Sequence, residues 1–333
     1  MTALRDDAPA PHREGPAPSR RRSTVTRIVV AVVTVILLVL PLVIDQIALR
    51  RTASLIVLTL AVLGVVVATG YAGLITLGHG AFVGVGAFAM GAFLDLVGLP
   101  FVPALVATFV LSWVVGWLFG LPALRVKGIY LALLTLGLGV IFPSLAKRFP
   151  SITGGVSGRP LETTLEAPEW LGSDHTITYR YFFCLIVCGL GFWITRNVLE
   201  GRMGRAIQAV RDDETSAATF GVNLVRTKTG AFALSAALAG TAGALQAVLF
   251  PFVSHEQYDV FLSFRLYAAA VIGGAAYLIG AVYGVIALIV VPAINNLLGL
   301  FDNDVFVFGV GLILLTFISP DGIAGWLRRS GRG

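Results

Sequence analysis

The chain has 333 residues, of which 57% are hydrophobic and 13% charged, with a formal net charge of +6. Soluble domains carry roughly 25% charged residues, so this composition excludes an ordinary soluble globule and points to a bilayer. The surplus cations do not mark a nucleic-acid binder: Arg20, Arg21, Arg22 and Arg27 flank the first apolar run, and Arg328, Arg329 and Arg332 follow the last.

Residues 1–27 are rich in Pro, Ala and Arg without apolar periodicity and read as a disordered basic tail on the cytoplasmic side. The next 17 residues, 28–44, are uncharged and resemble the apolar core of a signal peptide. Ile44-Asp45-Gln46-Ile47 offers no small-residue cleavage site, so an uncleaved first span is expected. No Asp, Glu, Lys or Arg occurs in 28–44, 52–94, 96–124 or 266–301. About 20 apolar residues suffice for one crossing. The fold expected is an all-α polytopic membrane protein whose permease domain covers 28–320.

The second span is expected at 53–69, followed by a glycine-broken segment at 70–97. Gly98-Leu99-Pro100 turns the chain into a fourth span at 101–121, and a fifth follows at 129–146. The stretch 148–179 carries Glu162, Glu166, Glu169 and Asp174 and reads as an external loop. Span six, 180–198, leads back to a cytoplasmic loop at 199–228, which holds Arg202, Arg205, Arg211 and Arg226. Span seven is expected at 229–251. Residues 264–300 would make about 55 Å of helix, short of two crossings. Gly273-Gly274 should divide them into a half-helix and a longer helix, with the turn buried in protein. A last span at 305–319 brings a basic tail, 321–333, inside. The sum is about eight full crossings plus one broken pair, within a range of 8–10 spans. Broken segments in opposite halves are also what an inverted repeat would show.

"GYAGLITLGHGAFVGVGAF", 70–88, contains Gly80 and Gly84. With Ala87 and Gly91 they put small residues on one helical face, which permits close helix approach. Thr76 and His79 fall just before it, where the chain should unwind. His79 is either a hydrogen-bonded packing residue or part of a translocation path, as are Thr76, Tyr130, Asn295 and Asn296. "SITGGVSGRP", 151–160, offers Thr153, Gly154, Gly155 and Gly158 as a possible docking surface, although composition alone favours a flexible connector. Cys184 and Cys188, four apart on one helix, read as packing residues, and no metal-ligand spacing is present.

The loop 204–223 is amphipathic. Met203, Ile207 and Val210 form one stripe, Ala217 and Phe220 a second. Asp212 or Asp213 can cap the second helix, Glu214 suits its first turn, and Gly221 is a stop. Two helices of about two turns each need something to lie against, either the headgroups or a protein partner.

This sequence resembles permease subunits of the branched-chain amino acid ATP-binding-cassette importers, M-type, over about 50–325. The resemblance rests on the 70–88 motif, "VKGIYLALLTLGLG" (126–139), "ITGGVSG", "GRAIQAVRDDETSAATFGVNLVRTKTGAFALSAALAGTAGAL" (204–245) and "GVGLILLTFISPDGIAG" (309–325). It implies that the cytoplasmic loop docks on ATPase subunits through Arg205, Ile207, Val210, Asp213, Glu214, Ala217 and Gly221. In the family's Glu-x-Ala-Ala-x-x-x-Gly pattern, Ser216 replaces the first alanine. Relatives often carry Gln and Ser where this chain has Leu74 and Thr76.

The resemblance further implies a second permease subunit, two cytoplasmic ATPase subunits and an external solute-binding protein, in the plasma or inner membrane with both termini cytoplasmic. No G-x-x-x-x-G-K-[ST] phosphate loop occurs, so ATP-Mg would bind the partner subunits, and this chain is expected to be neither an enzyme nor a cofactor carrier. A permease for urea or short amides is the alternative within this class. A secondary transporter coupled to ions is the alternative outside it, with Asp95 and His79 as its only candidates.

Overall fold

The computed structural model describes residues 37–123, 129–161, 165–167, 175–298 and 322–330, with side chains left aside at 122–123, 129, 291–298 and 327–330. Before Gln46 these comprise a short helical stretch that tightens into a 3₁₀ turn at Leu40–Leu42. The rest of the chain forms a separate compact unit. Its first helix, α1 (Gln46–Val65), widens into a π-turn at Val66–Tyr71. After an unwound stretch, α2 (His79–Gly91) ends in a second π-turn at Ala92–Leu96. Next come α3 (Phe101–Ala123), α4 (Ile129–Arg148), the single turn α5 (Pro150–Thr153) and the two-residue strand β1 (Arg159–Pro160). Helix α6 (Thr176–Glu200) leads to the short pair α7 (Arg202–Asp212) and α8 (Glu214–Thr219), then to α9 (Leu224–Leu249). Strand β2 (Phe252–Val253) pairs antiparallel with β1, and a half-buried 3₁₀ turn at His255–Tyr258 precedes α10 (Val260–Gly273). Helices α11 (Gly280–Leu298) and α12 (Gly322–Ser330) complete the described chain.

Six helices among the described residues are long and apolar enough to cross a membrane: Gln46–Tyr71, His79–Leu96, Phe101–Leu121, Tyr130–Arg148, Thr176–Glu200 and Leu224–Leu249. The protein is an all-α polytopic membrane protein. Most of the expected span 28–44 and all of 305–319 lie outside the described residues. The expected start of the second span is corrected: α1 begins at Gln46 and includes Arg50 and Arg51 in its first turns. At 1.5 Å per residue, its 26 residues with the π-turn exceed the roughly 30 Å hydrocarbon core, so the cationic end can stand outside it.

The broken pair occurs, a 14-residue α10 before a 19-residue α11, but the expectation that its turn is buried in protein is corrected: Gly274 is buried, whereas Ala276 and Ile279 are exposed. Gly274 closes α10 in the left-handed conformation at φ 102°, and its N–H reaches back to Ala270 and Val271. Helix α10 has only 14 residues; ahead of it His255 and Tyr258 are buried, Glu256 and Gln257 are exposed, and a Cβ on Gly84 would stand 2.9 Å from the Tyr258 Cβ.

Helix α9 is the axis of the unit and packs most extensively on α3, α2 and α1. It is buried along nearly its whole length, whereas α3, α4 and α6 turn most of their residues outward. Its run of Ala, Gly and Ser explains this. A Cβ on Gly86 of α2 would run into the Gly240 carbonyl of α9, and one on Gly243 into the Val83 carbonyl. A Cβ on Gly64 of α1 would sit 2.6 Å from the Ser235 carbonyl. The face expected from Gly80, Gly84 and Gly91 packs elsewhere, against Ser263, Phe142 with Tyr258, and Leu161 respectively. Helix α2 thus has two small-residue faces, and the one built on Gly86 meets the axis.

Gly86→Leu is expected to destabilise the protein by about 3 kcal/mol or more, because backbone rather than a yielding side chain opposes it. Gly189→Leu, on the outward side of α6 with open space around it, should leave the fold intact. Thermal unfolding and elution profile in detergent distinguish the two.

Candidate functional site

Where α1 gives way to α2, the backbone loses its helical partners and finds others. The Leu74 N–H reaches the Ala68 carbonyl at 2.8 Å, and Gly73 turns the chain at φ 67°. The Leu77 N–H donates to Thr135 Oγ1 of α4 at 2.9 Å, and the Gly80 N–H to Ser263 Oγ of α10 at 2.9 Å. Irregular backbone at membrane depth needs such substitutes, since lipid provides none.

His79 is 1% exposed and bridges three elements. Ser235 Oγ donates to the Gly64 carbonyl at 2.7 Å, so at its 2.6 Å contact with His79 Nε2 it must accept. That places the imidazole proton on Nε2 and leaves Nδ1 to accept from Thr76 Oγ1 at 2.8 Å. Every polar atom of this chain of four groups is satisfied. Thr76 and His79 therefore hold the break to α1 and α9 in this conformation.

The amphipathic loop folds against the same end of the bundle. Gly204, Ile207 and Val210 of α7 and Ala217 of α8 are buried, while Arg205 and Gln208 face outward. Asp213 caps α8 by accepting the Ser216 N–H at 2.6 Å, and that bond holds its carboxyl below the usual carboxylate range. Gly221, at φ 81°, ends α8 with the paired bonds of a Schellman motif, Val222 N–H to Ala217 and Gly221 N–H to Ala218, each 3.0 Å. Glu214 lies 2.6 Å from Lys228 Nζ and ties α8 to the start of α9. Phe220 is a correction: it is 87% exposed, not on the inward stripe with Ala217. It follows the last residue of α8, so helical phase no longer governs its direction.

Arg211 is the residue that sequence reasoning passed over. Its guanidinium donates to the Gly70 carbonyl at the end of the α1 π-turn. Sequence marked it only as one arginine among four; nothing local signals a partner 141 positions away.

The remaining predicted residues are spread out. Thr153 is buried, with Oγ1 2.6 Å from the Ala146 carbonyl and accepting from Gly155 N–H at 3.1 Å. Gly154, Gly155 and Gly158 all have positive φ, and a Cβ on Gly154 would run into the Gly158 carbonyl. The connector reading from composition is thus corrected: this stretch is a built turn, latched by Arg159 to Asp95 at 3.4 Å and by β1 to β2. Arg180, donating to Leu165 and Val248 carbonyls, holds the following loop to α9. Tyr130 is 67% exposed on α4, away from the His79 network. Asn295 and Asn296 lie on α11, with side chains outside those described. Cys184 and Cys188 are buried, and Cys188 Sγ contacts the Ile56 carbonyl of α1.

The family model described as "Branched-chain amino acid transport system / permease component" matches residues 47–316. The chain belongs to this family. It is 31% identical over 285 residues to the high-affinity branched-chain amino acid transport system permease protein LivM of Salmonella typhimurium, covering 78% of this chain and 66% of that protein. The LivM protein of Escherichia coli matches to the same extent. LivH of Salmonella typhimurium is 26% identical over 237 residues, 69% of this chain and 75% of its own length. The chain therefore spans slightly under two thirds of the length of the LivM relatives. No solved structure matches it. The 47–316 match takes in the break, the α7–α8 pair and the latched turn.

Ser235→Ala would leave the Gly64 carbonyl and His79 Nε2–H without their partner, and a loss of about 1–3 kcal/mol of stability is expected, read as a lower Tm in detergent. For the α8 cap, the depressed Asp213 carboxyl contributes fully above the ordinary value of about 3.9 and is lost only as pH falls through its lower folded value. Hydrogen exchange of the α8 amides, corrected for intrinsic rate, should be flat around neutral pH. It should rise in Asp213→Ala and stay near that of the unmodified chain in Asp213→Asn.

Proposed function

We propose that this chain is the transmembrane permease subunit of an ATP-binding-cassette importer for branched-chain amino acids. In this reading α7 and α8 are the seat of cytoplasmic ATPase subunits, and both termini are cytoplasmic in the plasma or inner membrane. A second permease completes the path, and an external solute-binding protein delivers the solute to the latched turn at Thr153–Gly158. ATP-Mg binds the ATPase partners, and this chain performs no catalysis of its own.

The observation that carries the reading is the α7–α8 pair itself. It buries one face on the bundle, is capped at both ends of α8, and leaves Arg205, Gln208 and Phe220 outward. Exposed aromatic and arginine side chains on one short pair are residue types that interface anchors favour. The relatives, high-affinity branched-chain amino acid transport system permease proteins LivM and LivH, favour branched-chain amino acids over urea or short amides and support a paired permease. Ion coupling finds little support: His79 is closed within its network, and Asp95 is engaged by Arg159.

Co-expression with the second permease and ATPases encoded alongside it, followed by affinity purification and leucine uptake, tests the proposal. Phe220→Asp should retain at least about tenfold less ATPase, the scale expected for a desolvated anchor, with an unchanged elution profile. Full retention by this variant, or no ATPase on the unmodified chain, would contradict the reading.

A further inference from the structure

We propose that Arg211 is the positioning residue that passes movement of the α7–α8 pair to both broken segments of the membrane domain. The inference rests on the importer reading above and adds the route by which the seat reaches the path.

The contacts run in series. Arg211 closes α7 and donates to the Gly70 carbonyl. A helix C-terminus leaves carbonyls without partners and carries partial negative charge, so a guanidinium is well matched to it. The arginine stem passes over Gly73, where a Cβ would stand 3.2 Å from Arg211 Cγ and where φ is 67°. Gly73 therefore provides both the turn and the clearance. Gly70 in turn bears on the second break: any Cβ there would run into the Ala275 carbonyl, in the turn between α10 and α11. The next contact extends the series to α12, since Gly322 lies against the Gly274 backbone. Arg211 thus touches one break directly and the other through a single backbone contact.

The other ties between the pair and the bundle are of a different kind. Ile207 and Val210 are apolar contacts, which slide at little cost, and the Glu214–Lys228 ion pair reaches the second turn of the intact helix α9. Among the hydrogen bonds of the described residues, that of Arg211 joins the pair to backbone that departs from the helical ladder. Such backbone has alternative arrangements, which is what an element carrying coupling requires. Replacing the arginine should leave the seat in place and weaken what it drives.

The test uses the whole importer, with its second permease and ATPases, in proteoliposomes with the solute-binding protein, Mg-ATP and leucine. Arg211→Ala should retain the ATPases and hydrolyse ATP within about twofold of the unmodified complex, while leucine taken up per ATP falls about tenfold or more, the range of a coupling free energy between sites. Arg211→Lys keeps a charged donor without the planar fork and should recover part of that ratio. Arg211→Gln provides the same readout should the alanine variant fail to accumulate. An unchanged uptake-to-hydrolysis ratio would overturn the proposal. So would a joint loss of ATPase retention and uptake, which would make Arg211 a docking or folding residue. Failure of the unmodified chain to retain any ATPase would overturn the importer reading, and this proposal with it.

Discussion

In hydrocarbon an apolar side chain gains little by leaving lipid for protein, so helices associate where their backbones can come close. Helix α9 is built to that constraint. Its small residues let Gly240, Gly243 and Ser235 meet α2 and α1 at backbone distance, and Ser112 of α3 lies against Gly240 from the other side. With the axis filled by backbone, the large apolar side chains of α3, α4 and α6 are left facing outward. The order of burial follows from where glycine and alanine fall, rather than from which helices are most hydrophobic.

Close backbone contact also makes the breaks tolerable. The Leu77 amide of the break and the Gly80 amide in the first turn of α2 are taken up by Thr135 and Ser263 from two neighbours, and the His79 bridge fastens the start of α2 to Ser235. The second break is held by Gly274, and Ala275 touches Gly70 of the first. Two irregular segments far apart in sequence therefore share one junction, and the α7–α8 pair is joined to it through Arg211. Both breaks turn at glycines of positive φ, Gly73 and Gly274, and the first is also held by side chains from other helices, Arg211 and Thr135.

Features governed by local chemistry were legible in the sequence. The uncharged runs marked the crossings, Gly273-Gly274 marked a break, and Asp213 and Gly221 announced the ends of α8. Features governed by partners were not. The phase of α8 put Phe220 inward because a six-residue pattern does not record which of its residues meet a neighbour. The glycines of 154–158 read as a flexible connector because composition does not record Thr153 bonding to Ala146 or Arg159 reaching Asp95. Gly86 stood out no more than Gly80 or Gly84, although only Gly86 meets the axis. The family resemblance implied a docking role for the loop, but its motif could not single out Arg211, whose partner lies in another segment.

The central claim is that the α7–α8 pair and the two breaks move as one body. Spin labels at Gln208 and Ala276, both exposed, would report it in the assembled complex after Cys184 and Cys188 are replaced. On ATP binding the Gln208–Ala276 distance should stay within about 2 Å, no more than a small helix shift, while the distance from Gln208 to exposed Val156 on the latched turn changes. A Gln208–Ala276 distance that shifts as much as the reference pair would contradict it, because the seat would then move independently of the breaks.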